Sequence, residues 1–428
     1  MNRLCFLFLA SSVICRVAIA GDQVSSKPPY PVSPVIAGLT WDDEVIVCGR
    51  SGSGDNWPIT WVEDDSCITA WGDGPGFDGP ASRDARLSLG FARIHGNPAE
   101  VRGEDFATNV DTPEGSGSSG IKASGLLMVD GGPGLARRYP GDKGIENDPV
   151  VVFAEDFEEG SLDAVWSRWE SVQNREIMSL SPDVPPAGTG EHSLLMAHVG
   201  GKSTGAHLYR RLPPGYDRLY VRFYVKFDPN CSPIHHFVHV GGYNPPTPWP
   251  QGGAGIRPEG NERFTTGIEP YGKHWRWDFY SYWMAMRSSP DGQSWGHDFI
   301  DDPALSAERG RWICVELMMK MNEPVTQSNG EQALWIDGRP RIRDGQTVSH
   351  LGQGFPRGKW VWDSFHPDPQ GEPFEGLRWR TTEDLKLNFL WLLLYITQSG
   401  PGHISKVWFD DIVVARQYIG PINAADSH

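Results

Sequence analysis

A chain of 428 residues with 54 Asp+Glu against 38 Lys+Arg carries a formal charge of −16, which excludes nucleic acid as the expected partner. Its 50 glycines, 35 prolines and 18 tryptophans argue for many turns between short strands, with wide aromatic surfaces to bury or to use. Beyond the first twenty residues no stretch offers about 18 uninterrupted apolar residues, so no transmembrane segment is expected.

Residues 1–20 read as a signal peptide. Arg3 is a short basic region, residues 4–13 are apolar, and Ala18-Ile19-Ala20 is a cleavage site. The mature protein is therefore expected to be secreted, extracellular or periplasmic. Residues 21–34 are a Pro/Ser-rich flexible lead-in. Residues 35–130 hold short strand-like runs such as EVIVCG and CITAWG, broken by Gly, Pro and Asp. Residues 131–149 lack apolar periodicity and read as a linker, and 421–428 as a tail. Four cysteines remain after export: Cys48, Cys67, Cys231 and Cys314. Either Cys48–Cys67 and Cys231–Cys314 pair, or these are buried thiols.

Residues 150–420 carry the clear strand signals. In LYVRFYVKF, Leu219, Val221, Phe223, Val225 and Phe227 share one face, and Tyr220, Arg222, Tyr224 and Lys226 the other. LNFLWLLLYI (387–396) suits a buried strand. Only SLDAVWSRW (161–169) and DDPALSAERG (301–310) read as short helices. Many alternating strands and few helices mean an all-β antiparallel jelly roll with a ligand-binding sheet.

Residues 235–287 carry the chemistry. Tyr280 and Tyr282, two apart in a strand, point into one groove about 7 Å apart. A phenol acts as base or acid when neighbouring cations lower its pKa, and Arg257, Arg263, Lys273 and the histidines are the candidates. Strand alternation places His235 and His239 on one face and His236 on the other. Residues 202–290 hold 11 Lys+Arg against 6 Asp+Glu, which marks a candidate anion site. Trp275 and Trp283 are candidate sugar-stacking surfaces. Glu155, Glu158, Asp410 and Asp411 lie on the first and last strands of the domain, where clustered carboxylates could hold a structural Ca²⁺. No cofactor is required for the chemistry. A retaining glycosidase needs two carboxylates about 5 Å apart, and WRWDFYSYW offers only Asp278.

Residues 150–420 resemble jelly-roll polysaccharide lyases of the alginate and glucuronan lyase type, concanavalin-like in fold. The resemblance rests on GGAGIRPEGNERFTTGIEP, on the strand with Tyr280 and Tyr282, on LWIDGRP and on VWFDDIVVARQYIGP. It implies β-elimination on an anionic, uronic-acid polysaccharide. Tyr280 or Tyr282 would be the proton-transfer group, with His239 and Arg257 catalytic beside it. His236, Arg263, Lys273, Trp275 and Trp283 would bind substrate. The family's lysine is missing from HHFVHVGGYN, so His236 or His239 would stand in for it. Residues 35–130 resemble a partial propeller-like β segment. The alternative function is non-catalytic, lectin-like carbohydrate binding in the same groove.

Overall fold

The computed structural model describes residues 53–62, 66–77, 88–96, 101–108 and 134–423. The expected signal peptide, the lead-in, Cys48 with its pairing to Cys67, and residues 424–428 lie outside the described residues. Before Gly134 the described residues form one five-stranded antiparallel sheet. Its path runs Ser53–Asp55, Cys67–Gly76, Gly90–His95 and Arg102–Thr108, and Ile59–Trp61 also pairs with Cys67–Gly76. Trp71 is its buried centre, and a Cβ at Gly90 would lie 2.3 Å from Trp71 Cζ2.

The described residues from Gly134 on form an all-β jelly roll of two antiparallel sheets packed face to face. The groove sheet has six strands, in the order Arg276–Tyr282, Arg263–Tyr271, Val238–Tyr243, Leu387–Tyr395, Gly205–Tyr216 and Ser171–Gln173. The outer sheet has nine. At its centre Arg218–Phe227 lies between Trp312–Lys320 and Ile404–Ala415, and Val151–Glu155 pairs with the latter. One hydrophobic core joins the two. Phe223 and Phe409 come up from the outer sheet and meet Phe237 from the groove side, at centroid distances of 6.2 and 5.3 Å. Each is fully buried, which stabilises the fold by about 1.5–3 kcal/mol per side chain. The LNFLWLLLYI run is a central strand of the groove sheet: Leu390, Leu392 and Leu394 enter the core, while Trp391 and Leu393 face the groove.

Several expectations change here. The polar, aromatic face of LYVRFYVKF is also buried, at Tyr220, Arg222 and Tyr224. They are covered by the stretch read as a linker, by the last residues of the stretch read as the domain, and by Ile422 of the stretch read as a tail. Leu135, Ala136 and Ile145 pack with Tyr220, Trp335, Tyr418 and Ile419. Arg222 donates to the Asp142 carboxylate and to the carbonyls of Asp411 and Gly420. Glu316 accepts from the backbone N–H groups of Ile419 and Gly420 at 2.7 and 2.8 Å. A segment without periodicity can still be structural when short 3₁₀ turns and buried polar anchors hold it. Residues 162–167 are helical, with the Ser161 hydroxyl accepting from Ala164 N–H. DDPALSAERG is not a helix, because its backbone bonds to the strand beside it: Trp277 N to Leu305 O and Ala307 N to Trp275 O. Cys231 and Cys314 are free buried thiols, not a disulfide, and burial pushes each up to about 12.

Candidate active site

Strand register builds the site. Trp391, His239, Gly267 and Tyr280 stand opposite one another on four adjacent strands, and Thr265 stands opposite Tyr282. Alternation sends these positions to the groove. A Cβ at Gly267 would lie 2.7 Å from His239 Nε2, so the imidazole rests on bare backbone. The resulting cavity of about 190 Å³ is lined by His236, His239, Arg263, Tyr280, Tyr282 and Trp391, with the loop Gln251 to Ala254 as its far wall. Two groove tyrosines anchor that loop. Gln251 N–H donates to Tyr243 Oη at 3.0 Å, and Tyr209 Oη donates to Thr247 O at 3.1 Å.

His236 and His239 share the cavity, against the alternation expected of them. The regular strand begins only at Val238, and His236 sits before it in an isolated bridge to Tyr395. The His236 ring stacks on Tyr395 at 5.7 Å and lies 4.9 Å from Tyr280. Its Nδ1 is 2.9 Å from Glu269 Oε1, while His239 Nε2 is 3.8 Å from the same oxygen. His239 Nδ1 lies 3.1 Å from the Phe237 carbonyl, which only accepts, so Nδ1 carries the hydrogen and Nε2 keeps its lone pair. Burial, and then the His236 charge, push His239 down to about 3, so its imidazole is neutral. Burial raises Glu269, against the opposing pull of His236.

The Tyr280 and Tyr282 hydroxyls are 3.2 Å apart. The cations do not lower Tyr280 as the sequence suggested: burial raises its pKa, and its bond to Tyr282 raises it further. A phenol so placed keeps its proton and is a donor. The Arg263 guanidinium stands 6.0 Å from the centre of the Tyr282 ring and donates to Ile256 O at 2.6 Å.

Other candidates fall elsewhere. Arg257 is exposed, donates to Ser288 Oγ at 3.4 Å and does not line the cavity. Trp275 is buried against Phe227, and Trp283 against Phe299 and Trp379. They are core side chains and offer no face to a sugar. Lys273 lies beyond the groove, at a hairpin. The positive balance of residues 202–290 is largely neutralised by Arg211–Glu170, Arg222–Asp142, Lys226–Asp183, Arg276–Asp301 and Arg287–Glu375. Asp278 accepts from the backbone N–H groups of Phe279, Phe299, Ile300 and Asp301, which makes it an anchor for that loop. Trp391 and Glu269 were not singled out from the sequence. The alternation of LNFLWLLLYI held the signal for Trp391.

On the outer side, Glu155, Glu158 and Asp411 line a second cavity of about 490 Å³ with Asp142, Asp156 and Glu159. Glu155, Asp156 and Glu159 bring oxygen atoms within 4.8 Å of one another. Glu155 also accepts from Phe157 N–H and Trp169 Nε1, and Glu158 from Glu191 and His192 N–H. Asp142 Oδ1 and Glu159 Oε2 are buried without a hydrogen-bond partner. Burial and neighbouring carboxylates push Asp411 up to about 7 and Asp410 up to about 10.

No family model and no curated protein matches this chain. Among solved structures, the chain is similar to alginate lyase Aly36B, at 12% identity and TM-score 0.40, over 63% of this chain and 98% of that one. It is similar to alginate lyase vAL-1 from Chlorella virus at 12% and 0.42, over 62% and 99%. It is also similar to the cellulose induced protein Cip1 at 15% and 0.34, over 63% and 99%. Likeness this loose carries no argument about chemistry, which rests on the groove itself. Among the described residues no helix is long and apolar enough to cross a membrane.

Proposed function

We propose that the protein is secreted and that this groove binds a uronic-acid polysaccharide and cleaves it by β-elimination. The observation that supports the reading is one cavity holding a neutral imidazole with its Nε2 lone pair free, a protonated phenol pair and an arginine, beside an indole. Arg263 pairs with the C6 carboxylate, which withdraws electron density and acidifies the C5 proton. His239 Nε2 takes that proton. The C4–O4 bond breaks, a C4–C5 double bond forms, and Tyr280 gives its proton to the leaving oxygen. Tyr282 lies within hydrogen-bond reach to resupply Tyr280. A bound carboxylate near His239 raises the imidazole pKa toward the operating range, so substrate binding itself makes the base stronger.

The test is incubation with alginate, glucuronan and heparin, followed through the ultraviolet absorbance of the conjugated double bond. Tyr280→Phe and His239→Ala are each expected to lower the rate by roughly 10²–10⁴-fold. A folded protein that produces no unsaturated ends on any uronate polymer sinks the lyase reading. One observation favours non-catalytic binding as the second reading: in the free groove His239 is held far below neutrality and Tyr280 above its ordinary value. Glycan binding without turnover would establish it.

We propose further that the acidic outer cavity holds a structural Ca²⁺. Hard carboxylate oxygens suit that ion. The support is the pair of buried oxygens without partners, on Asp142 and Glu159, among carboxylates that raise one another's pKa.

A further inference from the structure

A third cavity, of about 480 Å³, opens at the hairpin that joins Arg263–Tyr271 to Arg276–Tyr282. Its fixed charges are the cations Lys273 and Arg276, while burial and His236 push the His235 imidazole below its ordinary value. Lys273, His274, Arg276 and His235 line it, with Tyr271 and Thr397. Lys273 and His274 are exposed, and among the described residues Lys273 forms no ion pair. Arg276 is shared with Asp301 at 3.5 Å, a long and half-exposed pairing that an incoming anion can compete for. His235 Nδ1 is bonded to Thr397 Oγ1 at 2.8 Å, which fixes the ring at the cavity wall. Tyr271 is 54% exposed and presents a flat aromatic face. The acids near this end are Asp298, Glu269 and Asp363, which act on Tyr271, and Asp301; Glu269 is already engaged by His236, and Asp301 by Arg276 and His366.

This cavity adjoins the active groove. The rings of His235 and His236 are 4.4 Å apart, and each lines one of the two cavities. Tyr395 touches both, at 5.3 and 5.7 Å. Tyr280 lies four residue steps along the strand from Arg276, roughly 14 Å at the ordinary rise. A short oligosaccharide spans that distance and a single sugar ring does not.

We propose that the Lys273–Arg276 hairpin cavity is a distal anion subsite. It takes the carboxylate or sulfate group of a sugar several rings along the same chain whose cleaved bond lies at His239 and Tyr280. The proposal rests on the groove reading above and adds that the ligand is a long anionic polymer. A uronate disaccharide bound at the active groove leaves the subsite empty.

The test is calorimetric binding of a uronate disaccharide and a uronate hexasaccharide to the wild type, to Lys273→Glu and to His236→Ala, with melting curves to confirm folding. A sulfated neutral hexasaccharide runs as a parallel arm and tells sulfate recognition from carboxylate recognition. Lys273 is exposed on a turn, so its replacement leaves the fold intact. The expected result is roughly tenfold weaker hexasaccharide binding by Lys273→Glu. That loss should shrink at high salt and be absent for the disaccharide. Undiminished hexasaccharide binding by Lys273→Glu, alongside a loss in His236→Ala, overturns the subsite and leaves the groove standing. No binding of any anionic glycan by the wild type overturns both.

Discussion

Replacing Gly267 by alanine tests whether His239 does its work from where it lies. The new Cβ would stand 2.7 Å from His239 Nε2 and 3.0 Å from two ring carbons. Ordinary contact is about 3.5 Å or more, so the ring must move by roughly 0.8 Å. A displacement near 1 Å in a catalytic group costs about 10²-fold in rate. The fold should barely notice. Overpacking costs about 1–3 kcal/mol, and relief of a strand glycine returns about 0.5–1 kcal/mol. The net cost of about 1 kcal/mol lowers Tm by roughly 2–4 °C. The assay is the initial rate of unsaturated-end formation, measured beside a melting curve, for Gly267→Ala, His239→Ala and the double variant. Once the imidazole is gone the added methyl has nothing to displace, so the double variant should be no slower than His239→Ala. Wild-type rate from Gly267→Ala with an unchanged melting curve would refute the placement of the base.

Three further outcomes are expected. His207, His239 and His297 are pushed by burial to about 4, 3 and 4, below the ordinary 6.5. Each binds fewer protons folded than unfolded, so its contribution is present above pH 6.5 and is lost as the pH falls toward 3. Melting temperature should drop across that window, less steeply in His297→Gln; identical slopes would remove His297 from the account. Chelation should lower Tm and added Ca²⁺ restore it, by about 2.7 kcal/mol at a hundredfold excess over Kd. Asp411→Asn should abolish the response, and curves that coincide with and without the ion would end the calcium proposal. Arg222→Met should cost about 3–5 kcal/mol in chemical denaturation, because it strands the Asp142 carboxylate; a loss under 1 kcal/mol would show that the pair is not buried in solution.

The strand pattern made the architecture legible. LYVRFYVKF and LNFLWLLLYI both became central strands, because alternation and apolar runs report burial directly. Tyr280, Tyr282, His239 and Arg263 were also recoverable, since alternate residues on neighbouring strands reach one groove. What escaped depends on partners distant in sequence. Arg222 counts toward a positive region until Asp142 is folded over it. Trp275 and Trp283 read as sugar platforms until Phe227, Phe299 and Trp379 close on them. The face of His236 depended on where the regular strand begins, which one residue decides.

The cover over Arg222 also bears on the order of events in folding. Leu135 and Ala136 N–H groups bond to the Tyr418 and Ile419 carbonyls, and Gly141 N–H to Asn423 O. The segment that enters the jelly roll is thus latched by the segment that leaves it. During synthesis on a ribosome, the early partner emerges long before its mate exists. Such distant closures slow folding, and until residues 418–423 emerge the Tyr220 face of the outer sheet stays uncovered. A chaperone that holds this protein would therefore find its target on that face, and a version cut back to Val150 would keep the exposure permanently.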